Sequence, residues 1–294
     1  MTTSVAAREI APAKRPGMFR TIVTRFVRQK FAFICFILIV AEAVVAAGAP
    51  FFAPYDPLKT DYTITWEPPL PGHVMGVDDL GRDVLSRLIY GGRISIAIGV
   101  VSQIAALAIG LPLGALAGML GGWVDFAVTR FIEILTSVPT IFLYILMMIA
   151  LGAGFQNMVL AMAITNWTGI ARLVRGQVLS LKQTDYVRAA QAMGGDTKHI
   201  IMAHLVRNAL GPVLVSVTFG VPSAMLAEAG LSFLGLGIRP PDTSWGQMVG
   251  MYQSYILTSW HLTVFPALVM SVTMFLWYQF GEGLRVALDP SIQI

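Results

Sequence analysis

Two carboxylates, Glu42 and Glu228, lie within or at the ends of long apolar runs, and a carboxylate there is the first place to look for chemistry. Burying a charge at bilayer depth is costly, so such a group either pairs or acts. Glu228 falls near the end of its run and Glu42 in the first one, so pairing or interfacial hydration is the simpler expectation for both. His199 and His204 are five positions apart, which on a helix does not direct two rings at one metal. Polar contact with a partner or with lipid headgroups accounts for them better. Gly76-x-x-x-x-Gly81 echoes a phosphate loop, but Arg82-Asp83 stands where Lys and Ser/Thr are needed. Neither H-E-x-x-H nor G-x-S-x-G occurs, so no catalytic residue and no metal site is expected in the chain.

The elements that carry these residues are read from composition and run length. Of 294 residues 56% are hydrophobic and only 12% charged, against roughly 25% charged in a soluble domain. The mean hydropathy is +0.71. The apolar residues gather into runs long enough to cross a bilayer, for which about 20 helical residues suffice. Six spans are expected, at about 31–53, 94–120, 126–151, 156–174, 209–231 and 262–284. The lone Cys35 lies in the first run, cannot form an internal disulfide, and reads as a small packing residue. The pI near 9.3 reflects bases beside apolar runs, a topology signal rather than a nucleic-acid face.

Charge placement gives an orientation. Segment 1–30 holds Arg8, Lys14, Arg15, Arg20, Arg25, Arg28 and Lys30 against Glu9. Segment 175–207, with its flanks, is also basic, whereas 54–93 and 232–261 together hold seven acids against Lys59, Arg82, Arg87, Arg93 and Arg239. Basic loops stay cytoplasmic, so both termini are expected inside, in agreement with an even number of spans. A cleavable secretory signal ending near Ala47–Ala49 is the alternative; the long basic tail and Glu42 argue for a retained helix.

Residues 54–92 form an external loop, Pro-rich at first and helical from Asp83, with Val84, Leu85, Leu88 and Ile89 on one face; this amphipathic stretch is expected along the outer interface. Gly110, Gly114 and Gly118 then form a stripe suited to close helix packing. Segment 175–207 reads as two short helices, the first capped by Thr184 and ended by Gly194-Gly195, the second capped by Asp196 or Thr197.

That loop carries a resemblance. Tyr186-Val-Arg-Ala-Ala-Gln-Ala-Met-Gly194, with Ile200-Ile201 and Asn208-Ala-Leu, resembles the coupling loop of bacterial ATP-binding-cassette importer permeases. Gly76 to Arg93, Gly121-Gly-Trp-Val-Asp125 and Glu228-Ala-Gly-Leu-Ser-Phe-Leu-Gly-Leu-Gly237, followed by Pro240-Pro241 and Ser244-Trp245-Gly246, resemble the dipeptide/oligopeptide/nickel permease family, in its C-type subunit. The likeness runs over about residues 20–290.

The resemblance implies an all-α type I importer permease fold (MetI-like) with six transmembrane helices in a bacterial inner membrane. It implies a 93–285 permease domain preceded by a cytoplasmic tail (1–30), a first helix (31–53) and the external loop, and followed by a tail at 286–294. The implied partners are a homologous permease, two cytoplasmic ATPases that bind the ATP and Mg, and an extracytoplasmic binding protein; no cofactor is expected in this chain. Coupling to the ATPases would fall to Tyr186, Arg188, Ala189, Ala190, Gly194 and Asp196, and outer gating or docking to Glu228, Gly235, Gly237 and Trp245. Two positions depart from the family, Arg188 for its usual Glu and Arg207 for its usual Pro, which alters the ionic contacts of the loop and lets its second helix continue. The implied cargo is di- or oligopeptide, with nickel or another small solute as the alternative. The rival class, an ion-coupled carrier, would carry charges near span centres, and spans two to six are nearly free of them.

Overall fold

The computed structural model describes residues 18–185 and 207–289. Those residues form helices and loops without strands. In order they are α1 (Met18–Arg28), α2 (Lys30–Ala47), α3 (Ala49–Phe52), α4 (Val84–Leu120), α5 (Gly122–Thr136), α6 (Thr140–Leu151), α7 (Phe155–Lys182), α8 (Arg207–Phe233), α9 (Trp245–Tyr252) and α10 (His261–Leu288). Among them α2, α4, Gly211–Phe233 of α8, and α10 are long and apolar enough to cross a membrane, and the α5–α6 pair makes a fifth crossing if taken together.

Two expected spans differ in form. The 126–151 run is broken into α5 and α6, bent by 83°. Pro139 causes this: it cannot donate a helical hydrogen bond, and it disfavours helical geometry at Val138. The fourth run becomes α7, 28 residues long. It carries Gln156, Asn157, Asn166 and Arg172, so its composition alone does not mark it as a span. Its inner face is covered by protein instead of lipid.

α4 and α7 form the central pair. A Cβ on Gly110 would stand 2.7 Å from the Trp167 carbonyl oxygen, and one on Gly114 would stand 2.5 Å from that of Ala171. On Gly118 it would lie 2.8 Å from Val178 Cβ. The glycine stripe is therefore a packing surface, and Ile170, Ala171, Val174 and Val178 of α7 fill it. On the other side, α2 lies against α10: Cys35 and Ile39 pack on Leu276, and Thr273 donates a short hydrogen bond to Glu42. Cys35 is the packing residue expected, and Glu42 is paired between helices.

The stretch after Asp83 differs from a surface-lying segment. It is the first part of the continuous 37-residue α4. Asp83 caps it, its carboxylate accepting from the Ser86 amide at 2.7 Å. Val84, Leu88 and Arg87 are buried under α9 and the 54–83 loop. Apolar residues left exposed, such as Phe31, Ile34, Phe142, Leu146 and Ile149, lie on the outward faces of α2 and α6. Lipid or another helix must cover them.

Candidate translocation groove and the adjoining helix-end turn

α8 ends in a Schellman motif: Leu236 N donates to Leu231 O at 2.9 Å and Gly235 N to Ser232 O at 3.0 Å. Gly235 adopts φ +77°, so its role is to end the helix. The chain turns back, and Gly237 comes so close to Ser232 that any side chain there would overlap it. Residues 238–244 then lead to α9, capped by Ser244, whose hydroxyl accepts from Gln247 N at 3.0 Å.

This turn surrounds Glu228, which is fully buried. Its Oε1 accepts hydrogen bonds from Ser232 Oγ at 2.7 Å and Ser244 Oγ at 2.6 Å. Gly246 completes the pocket, because a Cβ there would stand 2.5 Å from Glu228 Oε2. Trp245 joins the closure to α4: its amide donates to Ser95 Oγ at 3.0 Å and its indole to Leu88 O at 2.8 Å. Glu228 and Trp245 thus meet through Ser244 in one knot, while Gly235 and Gly237 shape the turn beside it.

A second buried knot ties the 54–83 loop to the same place. Asp78 accepts from Arg82 Nε and from an Arg87 guanidinium nitrogen, each at 2.7 Å, and from the amides of Leu80 and Arg82, each at 2.9 Å. The Tyr252 hydroxyl donates to Asp79 at 2.6 Å. Burial, together with the nearby Asp78 and Asp79 carboxylates, pushes the Tyr252 phenol up from its ordinary value, so it stays protonated. The sequence reading placed these arginines at the margins of a surface helix. Opposite charges spaced 78, 82 and 87 were the available signal, but a helix margin and a buried pair share that spacing.

A separate open groove of about 270 Å³ runs along α4, α7 and α8, with Thr140 at the start of α6 also in its lining. Gln103, Thr140, Asn166, Thr168, Ser216 and Ser223 are among the residues that line it, and none of its lining residues is charged. Gln103 is seated against Gly220, where a side chain would collide with its amide. Tyr144 donates to Asn166 Oδ1 at 2.8 Å, fixing that amide, and Thr165 and Thr168 donate back to their own helix. The lining offers hydrogen bonds without a charge that would trap an ion. Sequence reading did not single out these residues; amides inside apolar runs were the signal available.

At the far end of α7, Arg175 makes a bidentate pair with Asp125 at the start of α5, one contact at 2.7 Å. Lys182 donates to Met119 O at 3.0 Å, and the Thr184 hydroxyl donates to Leu181 O at 2.6 Å, closing the helix end. Asp125, from the Gly121–Asp125 motif, thus holds α7 just before the loop. Tyr186, Arg188, Ala189, Ala190, Gly194 and Asp196 lie outside the described residues. The same holds for the helix that Arg207 would let continue.

Residues 110–294 match the model of the binding-protein-dependent transport system inner membrane component family, and residues 17–69 match the N-terminal TM domain of oligopeptide transport permease C. The chain is 40% identical to the oligopeptide transport system permease protein OppC of Bacillus subtilis (strain 168), covering 95% of this chain and 92% of that protein. It is 38% identical to the dipeptide transport system permease protein DppC of the same organism, covering 97% and 90%. Identity to the glutathione transport system permease protein GsiD of Pectobacterium atrosepticum is 36%, over 94% and 92%. A chain of the MetNI methionine ABC transporter in an inward-facing conformation superposes with a TM-score of 0.58, at 22% identity, over 69% of this chain and 96% of that one. The chain therefore belongs to the family of binding-protein-dependent transport system inner membrane components, as a multi-pass permease subunit of an ATP-binding-cassette importer.

Proposed function

We propose that this permease forms half of a translocation path for di- or oligopeptides and transmits the ATP-driven motion of partner ATPases to that path. The observation that carries the reading is the uncharged, hydrogen-bonding groove along α4, α7 and α8. A passing peptide presents amides, which such a lining solvates without holding any one charge tightly. The oligopeptide, dipeptide and glutathione systems named above favour peptide over nickel or another small solute as cargo.

A homologous second permease would supply the other half, an extracytoplasmic binding protein would deliver cargo at the closure, and the ATP and Mg would be bound by two cytoplasmic ATPases. With the basic segments inside, both termini and the 175–207 loop face the cytoplasm. The coupling contact falls to Tyr186, Arg188, Ala189, Ala190, Gly194 and Asp196. Arg175–Asp125 and Lys182–Met119 then anchor the base of the lever, so loop motion would tilt α7, and through the glycine stripe α4, as one body. Glu228, Gly235, Gly237 and Trp245 form the outer gate that this tilt would open.

The test is Gly194→Val in the assembled transporter. Insertion and assembly should persist while peptide uptake falls at least tenfold and ATP hydrolysis loses its dependence on the binding protein. Uptake at the unaltered rate would remove the coupling role.

A further inference from the structure

A cleft of about 580 Å³ opens beside the closure, between Arg93 and Ile94 of α4, Phe155 at the start of α7, Leu58 of the 54–83 loop, and Pro241–Thr243. It is separate from the neutral groove in lining and in chemistry. Its walls mix apolar residues with Arg87, Tyr90, Arg93, Asp242 and Thr243. Among the described residues the exposed Arg93 has no carboxylate within ion-pair distance; its guanidinium rests over the Tyr90 ring at 5.9 Å. Asp242, exposed in the same lining, has no partner for its carboxylate either. Arg93 and Asp242 do not pair with each other, so one mouth holds a free cation and a free anion apart.

Two further groups in the wall point to a ligand. Thr243 is 7% exposed, and its hydroxyl is buried without a hydrogen-bond partner. Arg87 is 3% exposed, and its Nε is likewise unpartnered although its terminal nitrogen pairs with Asp78. Buried donors are nearly always satisfied, so two orphans beside an unpaired charge pair mark a place where a polar group belongs. The size suits a short peptide or amino acid.

We propose that this cleft binds a small zwitterion at the outer mouth, its carboxylate held by Arg93 with Thr243 and Arg87 in support, and its ammonium by Asp242. Charge-assisted hydrogen bonds of this kind are the strong ones and give orientation as well as affinity. The identity of the ligand as a short peptide rests on the import reading above; the ionic recognition does not. The cleft would hold a delivered peptide by its ends before its amides enter the uncharged groove.

The experiment uses the full chain in phosphatidylcholine nanodiscs and ligand-detected NMR titration with the dipeptide Ala-Ala, its C-terminal amide and its N-acetyl derivative. Ala-Ala should bind at least tenfold more tightly than the amide, and severalfold more tightly than the acetylated form. Arg93→Gln should erase the preference for the acid over the amide. Asp242→Asn should erase the preference for the free amine while leaving the acetylated peptide unchanged. Thr243→Val, a near-isosteric change, should weaken Ala-Ala severalfold with melting temperature unchanged, since no internal hydrogen bond is lost. Equal binding of acid and amide, or undiminished binding by folded Arg93→Gln, would overturn the proposal. So would loss of Ala-Ala binding in phosphatidylglycerol discs, which would assign the cleft to lipid. Parallel ATP-driven uptake separates the two readings: binding without uptake counts against import and leaves the cleft standing, whereas uptake without binding counts against the cleft.

Discussion

Asp78 is the residue on which the 54–83 loop depends most. Asp78→Asn keeps the shape of the side chain but removes the negative charge between Arg82 and Arg87, both nearly buried. Each guanidinium loses a 2.7 Å charge-assisted contact, and the new amide hydrogens face donors. Removing one partner of a buried ion pair costs about 3–5 kcal/mol. At about 2–4 °C per kcal/mol for a chain of comparable size, the melting temperature should fall on the order of 10 °C. The damage should concentrate where the knot acts: limited proteolysis should cut within 54–83 well before the helices are attacked. Adding Arg87→Met should restore part of the loss, because the uncompensated cation goes too, with a coupling of about 1–3 kcal/mol in the double-mutant cycle. A single Asp78→Asn variant that melts within about 2 °C of the parent and resists protease equally would refute the reasoning.

Other variants test other contacts. Gly114→Leu should abolish stable packing of α4 on α7, since even a Cβ would stand 2.5 Å from Ala171 O; overpacking of this kind costs about 1–3 kcal/mol or more. Gly176→Ala, inside α7 with open space around it, should not lower the melting temperature, since alanine favours the helix; equal tolerance of both would contradict the stripe. Glu228→Ala orphans the Ser232 and Ser244 hydroxyls and should lower stability by about 1–3 kcal/mol, while Glu228→Gln retains an acceptor and should lose less. Equal melting of those two variants would count against the knot. Tyr252 has a folded pKa raised above its unfolded value of about 10, chiefly by burial, so its contribution is complete below pH 10 and declines as the pH rises further. Tyr252→Phe should show a flatter loss of stability above about pH 10 than the parent, measured as melting temperature against pH; parallel curves would contradict this.

Membrane residence, the glycine stripe and the packing role of Cys35 were legible from sequence because each rests on one-dimensional signals: run length, spacing of four, an isolated thiol in an apolar run. The break at Ser137–Pro139 was written in the proline, but an apolar run reads through such a break. The 37-residue α4 was divided because its first turns alternate charge with apolar residues, and nothing local says that Arg82 and Arg87 will meet Asp78 under Tyr252. The Glu228 knot needs Ser244 and Gly246, on the far side of a turn, which pattern reading placed near Glu228 only through family likeness. The groove was missed for the same reason. Gln103, Asn166 and Ser216 are far apart in sequence, and only the α4–α7–α8 arrangement brings them to one surface.

The most direct test of the central claim is peptide uptake into proteoliposomes containing this chain assembled with its partner permease, ATPases and binding protein. Uptake should require ATP and this chain, persist when ion gradients are collapsed by ionophores, and stop with Gly194→Val. Uptake that proceeds without ATP and collapses with the ion gradient would contradict the account.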